Sequence, residues 1–169
     1  QSYYGLVDDL TSSPLISPLR TSLQQQTLTT SGLFRTASSN TVNYNTQKGW
    51  YVDLPDSGER AVTNAALALG ALIFTSNIPN IDPCTPGGSS WLYFLDYKTG
   101  GFLTGSTVSW TAKSLGNKLG SRPTIVKLPT GTGKTVIKQS DGSVDVPAAP
   151  LPTNSGGVNR VSWREIITE

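Results

Sequence analysis

The segment Gly87–Gly101, Gly-Gly-Ser-Ser-Trp-Leu-Tyr-Phe-Leu-Asp-Tyr-Lys-Thr-Gly-Gly, constrains the fold of this chain more than any other. Its middle, Trp91 to Tyr97, is aromatic and aliphatic with almost no polar alternation. A strand with one wet face alternates, so this run predicts a strand covered on both faces. Gly87 and Gly88 punctuate the entry. At the exit, Asp96-Tyr-Lys-Thr-Gly100-Gly101 predicts a tight turn. The Asp carboxylate accepts from backbone amides one or two residues on, and a Gly takes the φ > 0 position. Phe102-Leu103 then predicts a return strand that closes a hairpin.

The rest of the chain repeats this grammar of short apolar runs cut by turn formers. Gly49–Pro55 and Ala71–Phe74 read as strands, the second entered through a strand and turn at Ala65–Gly70. Gln1–Leu10 is a weaker copy of the central element, an aromatic strand followed by Asp8-Asp9. Arg20–Leu28 reads as a strand or a helical turn, the Thr-Leu-Thr-Thr that follows favouring strand, and Gly32–Thr36 as a further strand, with a polar loop over Ser38–Lys48 before Gly49. Asn80–Ser90 predicts a rim loop, Thr107–Trp110 a short strand and Ala112–Arg122 a loop. Pro123–Pro129 and Thr135–Gln139 form an alternating hairpin across Thr130–Lys134. Short strands at this spacing predict an all-β sandwich, barrel or propeller. Residues 1–139 read as blades and hairpins, and 140–157, rich in Pro, Gly and Ser, as a long flexible linker. Residues 158–169 read as a terminal strand with one buried face, Val161, Trp163, Glu165 and Ile167 alternating with Ser162, Arg164 and Ile166.

Composition excludes several classes of function. Only 14% of the 169 residues are charged and the net charge is +2, with no basic cluster for nucleic acid. No apolar run has the length of a membrane span. Absence of Met marks Gln1 as the start of a mature product or an excised fragment. Absence of His removes the commonest general base and metal ligand, and a single Cys84 rules out a multi-cysteine metal site.

The motifs that remain favour bland readings. Pro129-Thr-Gly-Thr-Gly-Lys134-Thr135 carries the Gly-Lys-Thr of a phosphate loop, but Leu128 replaces the first Gly. Val136-Ile-Lys-Gln-Ser-Asp-Gly then breaks into a turn where a helix must begin. Asp141 and Asp145 have calcium-loop spacing without the third ligand or distal Glu. Asp8, Asp9, Asp53 and Asp56 read as turn formers. Cys84, in the Asp82–Pro86 loop, is a loop thiol, or in an oxidising compartment a bond to another chain segment. Trp50, Trp91, Trp110 and Trp163 read as core. No residue is assigned a catalytic, cofactor-binding or metal-binding role.

The Leu92–Gly100 strand and turn resembles the blade element of quinoprotein-type propellers. Four separated motifs carry a wider resemblance. They are Gly49-Trp-Tyr-Val-Asp-Leu-Pro-Asp-Ser-Gly-Glu-Arg60, Leu69–Pro79, Asp82–Gly101 and Arg160-Val-Ser-Trp-Arg-Glu-Ile166. In this order, with Gln1–Leu6 and Leu23–Leu28, the chain resembles the C-terminal region of the type IV pilus tip-associated adhesin and biogenesis proteins (the PilC/PilY group). That resemblance implies a partial β-propeller, the C-terminal blades of a larger quinoprotein-like ring. At about 40–45 residues per blade, this chain supplies three or four of about seven. The resemblance also implies a non-enzymatic protein, exported through the periplasm to the pilus tip, acting in pilus assembly, adhesion and surface sensing. Its implied partners are minor pilins, the remainder of the propeller, and a host-cell or abiotic surface, with no nucleic acid and no membrane span. The family's Asp-rich calcium loop lies upstream of the matched region, so no cofactor is expected in this segment. An alternative is a structural subunit or decoration of an extracellular filament. An enzyme, a quinoprotein-type dehydrogenase or a nucleotide hydrolase acting through Lys134, ranks behind both.

Overall fold

The computed structural model describes residues 1–8, 10, 18–82, 84, 87–128, 133–147 and 149–151. Among them the strands are β1 (Ser2–Leu6), β2 (Gln24–Gln26), β3 (Leu28–Ser31), β4 (Phe34–Ala37), β5 (Gly49–Asp53) and β6 (Ala66–Ala68). They continue as β7 (Ala71–Pro79), β8 (Gly88–Asp96), β9 (Ala112–Ser114), β10 (Thr124–Lys127), β11 (Gly133–Lys138) and β12 (Val144–Asp145). Helix among these residues is limited to one 3-10 turn, Leu19–Ser22. The fold is all-β, in three open sheets ordered β1-β5-β2, β3-β4-β9-β8-β7-β6 and β10-β11-β12. Within the first sheet, β5 pairs antiparallel with β1 and parallel with β2.

The second sheet is a wall between two cores, and β7 and β8 are its centre. Trp91, Tyr93 and Leu95 of β8 join Phe74 and the Trp50, Val52 and Leu54 of the first-sheet side. Leu92 and Phe94 point the other way and join Ala71, Ile73, Leu103, Leu115, Ile137 and Leu151. The expected double burial of this strand is therefore what the fold uses. Each large side chain taken fully from water contributes about 1.5–3 kcal/mol, so the wall carries much of the apolar driving force. Phe74 stacks on Tyr93 at 4.7 Å and on Tyr3 of β1 at 4.3 Å, tying wall to first sheet.

The turn after β8 forms with the expected chemistry. Asp96 Oδ1 accepts from the N–H groups of Lys98 (2.8 Å) and Thr99 (3.2 Å), two and three residues on, and Gly100 has φ +70°. The return strand expected at Phe102-Leu103 does not form. Phe102 N–H donates to Ser38 O at 3.0 Å, and Leu103 is drawn into the second core. Thr107–Trp110 is not a strand either, because the Ser106 hydroxyl bonds both the N–H and the carbonyl of Val108. The strand beside β8 is instead β9, inside the 112–122 stretch read as loop, where fully buried Ala112 fits between β4 and β8. The Arg20–Leu28 stretch divides between its two readings, its start lying in the 3-10 turn Leu19–Ser22 and Gln24–Gln26 forming β2.

The β6–β7 hairpin turns through Leu69 (φ +50°) and Gly70 (φ +80°), the double left-handed geometry of a two-residue hairpin loop. The hairpin predicted from residues 123–139 is present as β10 and β11, its tip at 129–132 lying outside the described residues. Residues 140–157 begin with structure where a linker was expected. Ser143 folds the chain back through Gln139 and Asp141, β12 pairs with β11, and Leu151 is buried. The terminal strand expected at 158–169 lies outside the described residues.

Candidate functional site

The strongest concentration of polar chemistry is at the seam between the turn after β5 and the wall. Strand alternation sends Arg35 and Ala37 of β4 inward while Phe34 and Thr36 face out. Arg35 is therefore fully buried, and a buried guanidinium must meet carboxylate. The turn Asp56-Ser-Gly-Glu59 supplies it. Arg35 Nη1 lies 2.8 Å and 3.0 Å from the two Glu59 oxygens, and Nη2 lies 2.5 Å from Asp56 Oδ2, off the hydrogen-bond line. The guanidinium carbon sits 3.8 Å from the centre of the Trp91 ring.

Glu59 is itself fully buried and its oxygens are fully engaged. Oε1 also accepts from Tyr93 Oη (2.8 Å) and Ser76 Oγ (2.5 Å), and Oε2 from the Asp56 N–H (3.2 Å). Trp91 Nε1 donates to Asp56 Oδ2 at 3.1 Å. Burial raises the Tyr93 hydroxyl well above its ordinary value, and the Glu59 carboxylate pushes it the same way. For Arg35 burial alone would lower the pKa, but Tyr93, Glu59 and Asp56 outweigh it and the net direction is up. Arg35 is held charged and Tyr93 neutral, with the Glu59 carboxylate between them. The cluster locks the 56–60 turn, β4, β7 and β8 together.

A second set joins the first sheet to the turn after β8. Trp50 Nε1 donates to Tyr97 O at 3.1 Å, and its ring lies against the backbones of Gly5 and Gly100. The buried Gln26 amide donates to Asn40 O (2.7 Å) and Thr99 O (2.8 Å) and accepts from Ser38 Oγ (2.6 Å) and Asn40 N–H (3.1 Å). On the outward face of the same sheet, Arg20 pairs with both Asp53 oxygens at 3.1 and 2.7 Å and stacks 4.5 Å from the Tyr51 ring.

The residues singled out in the sequence are scattered by the fold. Lys134 stands exposed on β11, a strand where a phosphate loop would open a helix. Asp141 bonds Ser143 and pairs with Lys118 at 2.8 Å, while Asp145 lies in β12. Asp8 caps the Leu10 N–H at 2.8 Å, and Asp9 lies outside the described residues. Cys84 is an exposed free thiol, its N–H on Asp82 Oδ1. Trp50 and Trp91 are core, Trp110 is half-buried against the second core, and Trp163 lies outside the described residues. Among the described residues no group of three or more acidic or Cys side chains gathers to hold a metal, and no helix is long and apolar enough to cross a membrane. Asp56 does more than form a turn, and Arg35 and Glu59 carried no sequence signal beyond one. The available signal was an inward-facing Arg on a strand, with two carboxylates three residues apart elsewhere.

Two proteins of Xylella fastidiosa (strain Temecula1), both described as type IV pilus biogenesis factor PilY1 homologs, match almost the whole chain. One is 35% identical over 99% of the chain, the other 31% identical over 97%. This chain belongs to the PilY1 family of type IV pilus biogenesis factors. PilY1 of Pseudomonas aeruginosa (PAO1) is 35% identical over 60% of the chain. The chain spans only 15%, 10% and 11% of the length of these three relatives. No family model matches the chain, and no solved structure does. With the Xylella matches running over essentially the entire chain, the Arg35–Glu59 lock, the Trp50 contact and the turn after β8 all belong to the PilY1-related segment.

Proposed function

We propose that this chain is a non-enzymatic, extracellular β-propeller module of a type IV pilus tip adhesin, reached by export through the periplasm. It acts in pilus assembly, adhesion and surface sensing. Its neighbours are the remaining blades of a longer polypeptide and minor pilins at the tip. The observation that carries this reading is the stack itself, a wall buried on both faces between two smaller sheets, within a chain similar over 97–99% of its length to PilY1 homologs. Propeller blades bury their sheets in this way, face against face, and leave no face bare once the ring closes.

The test is immunogold labelling of native pili with antibody raised against residues 18–82, beside cells in which the segment is excised in frame from its parent protein. The expected result is gold at pilus ends and fewer surface pili after excision. Label along the whole shaft would favour a filament subunit and overturn the tip assignment. Unchanged piliation after excision would overturn the assembly role.

A further inference from the structure

We draw no further inference here: the strongest candidate, the apolar surface groove lined by Leu6, Val7, Tyr44 and Tyr97 beside the turn after β8, carries nothing because no observation in the structure shows what covers it.

Discussion

The indole of Trp50 lies against the α-carbon of Gly100, and a methyl group at that α-carbon would overlap the ring. Gly100 also holds φ +70°, where a side chain is penalised independently. Its glycine therefore answers two demands at once, the turn after β8 and the seating of the first sheet.

Gly100→Ala should destabilise the protein by about 2–5 kcal/mol, the sum of overpacking and left-handed strain. Gly5→Ala, opposite Trp50 in register, meets the same ring and should cost about 1–3 kcal/mol. Gly142→Ala, with φ +84° but open space around it, isolates the backbone cost. Urea midpoints of the three variants rank them, and a Gly100 variant no worse than Gly142→Ala would refute the contact.

Removing either partner of the buried Arg35–Glu59 pair should cost about 3–5 kcal/mol, because the survivor is left buried without its main counter-charge. Arg35→Met combined with Glu59→Gln should cost clearly less than the two single changes added. A double-mutant cycle by chemical denaturation measures this coupling, and simple additivity would contradict it.

Stability should fall at both ends of the pH range for different reasons. The Tyr93 hydroxyl has a folded-state pKa raised above its ordinary value of 10, so its contribution is complete below about pH 10 and is lost as pH rises further. Tyr93→Phe should flatten that alkaline limb. Asp53, held below the ordinary carboxylate range chiefly by its hydrogen bonds from Arg20, acts in the opposite sense. Its contribution is present above about pH 4 and is lost as pH drops through the depressed value. The pair is largely exposed, so its share should be small and weaker still in high salt. Urea midpoints from pH 2 to 11.5 for the parent, Asp53→Asn and Tyr93→Phe test both limbs.

Gln26→Met keeps the side-chain volume and strips four hydrogen bonds from Asn40, Thr99 and Ser38. Buried groups left unmatched cost about 1–3 kcal/mol each, less where water can enter. The expected signature is local, with faster amide exchange at Thr99 and Gly100 than at Phe94. Uniform acceleration across β8 would instead mean that the fold as a whole had been weakened.

Much of the sheet architecture was legible because it rests on local chemistry. The unbroken apolar run of β8 announced two covered faces, and Asp96 with Gly100 announced its turn. What the sequence hid was long-range. Phe102-Leu103 looks like a strand, and only the pull of the second core on Leu103 shows why it is not. β9 is three residues long with a lysine at its centre, and its identity comes from its neighbours β4 and β8. The lock was hidden for the same reason. Arg35 and Glu59 are ordinary in a polar sequence, and nothing local brings residues twenty-four apart together.

The two faces of β8 feed different cores, and that has a consequence for how the segment tolerates change in length. A one-residue slip of the whole of β8 would exchange the sets, sending Trp91 and Tyr93 toward Ile137 while Leu92 and Phe94 faced Trp50. Neither core could absorb the other's shapes, and Tyr93 would abandon Glu59. Insertions and deletions are therefore confined to the loops, and the two cores, sharing one strand, must melt as a single cooperative unit.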